Sequence, residues 1–194
     1  LALRYGLWFF LPLVVVAVLQ SWAQQNMMTF VPKYLSDLGN TPGHIQHWST
    51  NIDAQMMWLT KNPEDYGVVV AENMFGDIIS DGFAGLVGGL GFACSANIGD
   101  EVAVFEPTHG SAPKYQELNP SIVNPIAMIM SACMMLDHIG ETAKADKIRK
   151  AIAKVIEAGK VKTYDMMKLR GGPEVFKNGA CTTQQMTDEI ISNL

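Results

Sequence analysis

Apolar residues recur along this chain in two rhythms, and their order predicts the elements. Met56, Met57 and Leu59 have helical spacing over residues 53–60, and Lys61-Asn62-Pro63 stops that helix. Tyr66-Gly67-Val68-Val69-Val70-Ala71 is a short β-branched run, which predicts a buried parallel strand. Residues 77–90 read as a helix through Ile78, Ile79, Phe83, Leu86 and Val87, loosened by its glycines, and Gly85, Gly88, Gly89 and Gly91 permit close helix packing or chain reversal. Val102-Ala103-Val104-Phe105 predicts a second strand. Asn124-Pro125 opens a helix with a capping residue and an early proline, and Gly140 ends it near residue 138. Residues 141–158 form a charged amphipathic helix closed by Gly159, and Thr182-Thr183-Gln184-Gln185 is a capping box for the last one. Strands alternating with helices imply an α/β domain with a mainly parallel sheet flanked by helices.

Residues 1–50 follow a different pattern. No charge occurs from residue 5 to residue 32, residues 7–19 are almost wholly apolar, and Ser21-Trp22-Ala23 follows with small residues. A signal peptide or membrane anchor over residues 5–23 is one reading. A buried element is the other and is favoured, because Leu13-Val14-Val15-Val16-Ala17-Val18-Leu19 is β-branched like a covered strand. The turn signal Thr41-Pro42-Gly43 makes residues 39–46 a loop.

Composition narrows the function classes. With 48% hydrophobic and 17% charged residues the chain buries a core, and 194 residues suffice for one domain and part of another. A net charge of −5 argues against nucleic-acid binding. The three cysteines, Cys94, Cys133 and Cys181, lack a C-x-x-C spacing, which disfavours zinc and suits a reduced compartment.

Two stretches carry candidate chemistry. Asp77 and Asp81 stand four apart within Asn73-Met74-Phe75-Gly76-Asp77-Ile78-Ile79-Ser80-Asp81, so a helix points both carboxylates the same way. A magnesium-like cation between them would relieve their repulsion; from spacing alone, a helix-start acid and a solvated surface acid is the favoured reading, because such pairs are common. The second stretch is Glu106-Pro107-Thr108-His109-Gly110-Ser111-Ala112-Pro113-Lys114-Tyr115, where small residues let backbone N–H groups approach a phosphate. His109 alone would be an ordinary surface histidine, and Asn124 an ordinary cap.

Together these motifs resemble the isocitrate and isopropylmalate dehydrogenase family over about residues 51–194. The resemblance implies that family's α/β fold without its first half, with residues 1–50 unmatched. It implies oxidative decarboxylation of a small 2-hydroxy acid, isocitrate first, with 3-isopropylmalate, homoisocitrate or tartrate as alternatives. The cofactors implied are Mg2+ or Mn2+ and NADP or NAD, with NADP favoured. Asp77 and Asp81 would hold the metal, with Asp53 as a third carboxylate reaching the neighbouring subunit of a homodimer; Asp53 and Asp77 would be catalytic. The nucleotide would meet Glu106, Thr108, His109, Gly110, Ser111, Ala112, Lys114, Tyr115, Asn124, Tyr164, Asp165 and Lys168. Lysine at 168 replaces the family's arginine, which weakens two-pronged phosphate recognition. The family's substrate-gripping arginines and serine, and its catalytic tyrosine and lysine, are not found, so the chain alone is expected to turn over little or nothing. A non-catalytic dehydrogenase-like subunit or a membrane-anchored homologue is the alternative. The compartment implied is the cytoplasm or mitochondrial matrix, with membrane association or export as the minority reading.

Overall fold

The computed structural model describes residues 50–66 and 68–194. The readings of the apolar front segment and the 39–46 loop therefore lie outside the described residues. The chain divides into two compact units, Leu1–Gly76 and Asp77–Leu194.

In the first unit, helix α1 spans Ile52–Lys61 and buries Gln55 and Leu59. It stops as Lys61-Asn62-Pro63 predicts: the Asn62 N–H closes back on the Trp58 carbonyl, and a 3-10 turn, Pro63–Asp65, follows. The ammonium of Lys61 lies 5.2 Å from the Trp58 ring centroid at the helix C-terminus, where a cation complements the dipole. The predicted strand at residues 66–71 is a correction. Residue 66 and residues 68–72 are not in a strand, and Val68, Val69 and Val70 are exposed. A parallel strand needs neighbours and cover on both faces, and the described residues provide no strand to pair with it.

Helix α2, Asn73–Val87, begins in one unit and runs into the other. Within Asp77–Leu194 it buries Ile79 and Ala84. Gly89 N–H closes it on the Ala84 carbonyl at 2.7 Å, a glycine-ended helix stop. Gly88 is obligatory there: its φ is +130, and a Cβ would come within 2.9 Å of the Phe92 ring.

Strands β1, Cys94–Ile98, and β2, Ala103–Pro107, form an antiparallel pair with Ala96 opposite Phe105. This is the one ladder among the described residues, so the sheet they contain is antiparallel where a parallel one was expected. The β1 run was not read from the sequence, although Gly99-Asp100 beside two short apolar runs is a hairpin signal. Helix α3, Ile126–His138, packs against both strands, the Leu90–Phe92 turn and α4, Thr142–Ala158. Its methionines divide: Met128 and Met135 are exposed while Met130 packs on the core. Helix α5, Thr183–Ser192, starts with the predicted capping box: Gln185 N–H donates to Thr182 Oγ1 and Thr182 N–H donates to Gln185 Oε1.

Two cores result. The larger joins Ile126, Ile152, Val155, Cys181, Met186 and Ile190, with Phe92 against its edge. Burying side chains of this size stabilises by roughly 1.5–3 kcal/mol each. Arg149 of α4 reaches Asp137 of α3 and Asp146 of its own helix, tying the two helices at their rim. The smaller core gathers Ile122, Val175 and Ala180 beneath Tyr115, Tyr164, Leu169 and Phe176. Tyr115 and Tyr164, two of the candidate nucleotide residues, pack on it.

Candidate functional site

The loop after β2 is tied down at its first residue. Thr108 donates its N–H, at 3.1 Å, and its hydroxyl, at 3.4 Å, to the carbonyl of Ala93. His109 Nδ1 lies 3.0 Å from the Gly110 carbonyl, so the ring donates there when that nitrogen is protonated. Gly110, Ser111, Ala112 and Lys114 are exposed. Ala112 is held in the left-handed region at φ +42, a conformation a non-glycine residue adopts at some cost, and a 3-10 turn, Pro113–Tyr115, follows. Glu106, on β2, is exposed and accepts from Asn97 Nδ2 at 3.3 Å.

Tyr115 meets Tyr164, which the chain brings back after α4. Their ring centroids are 5.8 Å apart with planes tilted 55°, and the Lys114 ammonium lies 4.7 Å from the Tyr115 centroid. Hydrogen bonding with Tyr164, then Lys114, holds the Tyr115 phenol below the usual tyrosine range, with burial opposing. Burial, then the neighbouring Tyr115, pushes the Tyr164 phenol up. Gly171 makes room for the pair: a Cβ there would come within 2.5 Å of the Tyr115 hydroxyl.

Asn124 meets Asp165. Asn124 is 8% exposed, and its Oδ1 accepts from Ile126 N–H at the start of α3. Its Nδ2 donates to Asp165 Oδ2 at 2.9 Å. The capping role of Asn124 is therefore present, with a second bond in addition. Thr163, 0% exposed, donates its hydroxyl to the other carboxylate oxygen of Asp165. Lys168 is exposed, with φ +58. Sequence reasoning gave Gly91 only a packing or chain-reversal role and gave none to Thr163 or Gly171. Thr163 stands beside Tyr164-Asp165, but only the fold shows where its hydroxyl goes.

Asp77 and Asp81 stand one turn apart on α2, both exposed. Among the described residues neither has a basic partner within ion-pair distance. Two acceptor-only carboxylates in this arrangement fit a hard divalent cation, with water and substrate completing its shell. Among the described residues no three of His, Cys, Asp and Glu come together as a metal cluster, so further oxygen donors would have to join the two. Asp53, in the first unit, is exposed in the first turn of α1, where an acid complements the helix dipole. An open cleft of about 620 Å³ is lined by Lys160, Lys162, Cys181 and Asp188; none of the predicted site residues lines it.

The family model described as isocitrate/isopropylmalate dehydrogenase matches residues 19–190. The chain belongs to that family. It is 48% identical to the NADP isocitrate dehydrogenase of Thermus thermophilus over 143 residues, covering 74% of this chain and 27% of that protein. It is 50% identical to the 3-isopropylmalate dehydrogenase of Archaeoglobus fulgidus over 150 residues, covering 77% and 42%. The isocitrate dehydrogenase structure from Methylococcus capsulatus superposes with a TM-score of 0.65 at 43% identity, covering 73% of this chain and 39% of that one. The fold is thus the α/β fold of the family, represented in part, and the chain spans less than half the length of these relatives. Among the described residues no helix is long and apolar enough to cross a membrane.

Proposed function

We propose that the chain carries the metal- and nucleotide-binding part of a dehydrogenase that oxidatively decarboxylates a small 2-hydroxy acid, isocitrate to 2-oxoglutarate in the first instance. In that reaction the acid gives up its hydroxyl proton and a hydride, then carbon dioxide. A bound Mg2+ or Mn2+ supplies electron withdrawal at the substrate hydroxyl and adjacent carboxylate, and NADP or NAD accepts the hydride. Asp77 and Asp81 hold the cation, Asp53 serves the site of a partner subunit in a homodimer, and Glu106 lies toward the nicotinamide. The 108–112 loop approaches the phosphates, with His109 toward the adenosine, which Asn124 and Asp165 also hold.

One observation carries the reading. The family resemblance assigns residues of three separate stretches to one nucleotide, and the fold brings them together as Tyr115 with Tyr164 and Asn124 with Asp165. Lys114 and Lys168 support NADP, since a 2′-phosphate attracts them and a neutral ribose gains little. The names of the relatives keep isopropylmalate in view beside isocitrate, and homoisocitrate and tartrate stay as further alternatives.

Titration of the 194-residue chain with each dinucleotide, with Mg2+ present, tests the reading. Saturable binding, tighter for NADP, is the expected result; no binding of either at millimolar concentration sinks it. With isocitrate added, the chain alone is expected to form little or no 2-oxoglutarate by mass spectrometry.

A further inference from the structure

The Asn124–Asp165 pair is locked at one polarity by groups that the nucleotide reading does not use. Ile126 N–H can only donate, so it takes the Asn124 oxygen; the Asp165 carboxylate accepts, so it takes the Asn124 nitrogen. The second Asp165 oxygen is fixed by the hydroxyl of Thr163, a side chain with no exposed surface. Gly91, in the Leu90–Phe92 turn, lies against the same pair. A Cβ at Gly91 would fall 2.6 Å from Asp165 Oδ2 and 3.1 Å from Asn124 Cβ. A free carboxylate would swing aside at little cost, but this one is held by two donors and cannot move without losing at least one bond.

We propose that Thr163 and Gly91 are positioning residues that hold Asn124 and Asp165 in this one arrangement, so that this corner of the site takes a purine bearing an amino group. The proposal rests on the nucleotide-binding reading above. Adenine offers an amino donor beside a ring acceptor, which complements a fixed carboxylate acceptor beside an amide. Hypoxanthine replaces that donor with a carbonyl oxygen and reverses the adjacent ring nitrogen.

The test is equilibrium binding of NADP and of its hypoxanthine analogue to the full chain and to three variants. Thr163→Val removes the hydroxyl at constant shape, Thr163→Ser keeps it, and Gly91→Ala drives a methyl at the carboxylate. Thr163→Val and Gly91→Ala are expected to weaken NADP about tenfold, the worth of one good hydrogen bond, and the hypoxanthine analogue less than about twofold. Thr163→Ser is expected to match the parent. In the absence of nucleotide, the Asn124 side-chain amide NMR signals should move in the first and third variants only. Equal weakening of both dinucleotides, or of neither, overturns the proposal and leaves the nucleotide reading standing. A parent chain that binds neither dinucleotide overturns both. Should Thr163→Val fail to fold, Gly91→Ala decides by the same criteria.

Discussion

Asp77 and Asp81 stand in solvent on one helix, whereas Asn124 and Asp165 are held by Ile126, Thr163 and each other. Both pairs carry carboxylate oxygen, yet they are built in opposite ways. The proposed nucleotide side draws on the 108–115 loop, the start of α3 and the segment after α4, and within it Asn124, Ile126, Thr163 and Asp165 satisfy one another. The proposed metal side is a single helical face whose like charges repel until something joins them. A preorganised pair saves ordering cost when its ligand arrives, while an open pair leaves coordination to water and substrate. The contrast predicts that mutations on the two sides fail differently.

The largest effect is expected at the open pair. Asp77→Asn with Asp81→Asn should weaken Mn2+ binding by about 100-fold or more, because two anionic donors are lost. The thermal midpoint should stay level or rise slightly as repulsion is removed; a fall by several degrees would show that the pair is structural. Next comes Gly171→Ala, which pushes a methyl into the Tyr115 hydroxyl. At about 1–3 kcal/mol for such a clash, NADP should bind roughly tenfold more weakly while Mn2+ binding is unchanged. Equal loss of both would erase the distinction between the two sides. Thr182→Ala removes half of the capping box and should cost about 1 kcal/mol of stability in denaturant unfolding. That loss should leave metal affinity untouched.

The smallest effect concerns pH. Burial raises the thiols of Cys133 and Cys181 in the folded chain above their ordinary value of 9.0. The unfolded chain therefore releases those protons first, and stability should be level below about pH 8 and decline as pH rises past 9. Urea midpoints compared at pH 8 and pH 10 give the sign. Cys133→Ala should decline less steeply over that interval, even with a lower starting midpoint from the cavity it creates.

The sequence reached helices best, because a helix carries its own period and its own stop signals. Thr182 with Gln185, Gly159 and Lys61-Asn62-Pro63 all act locally, and each does what its local chemistry predicts. Strands were read less well. Val68-Val69-Val70 and Val102-Ala103-Val104-Phe105 look alike in sequence, but among the described residues only the second has a strand partner, ending five residues before Ala103, and a helix beside it. Propensity proposes a strand, and pairing decides it. The site shows the same division. The motifs at residues 106–115 and 163–165 were legible as letters, yet the roles of Gly91 and Gly171 lie in what their missing side chains leave open to residues more than thirty positions away. The glycine run marks Gly91 only as a place for close packing, and nothing local marks Gly171.

Cys94 is only half-buried, whereas Cys133 and Cys181 lie inside. A maleimide or similar alkylating reagent will therefore find Cys94 promptly and Cys133, which has no exposed surface, only when the helices part. Alkylation kinetics resolved by peptide mass would follow breathing of the interior around Cys133 without any engineered label. A bound ligand that tightens the chain would lengthen that half-life and leave the first alone.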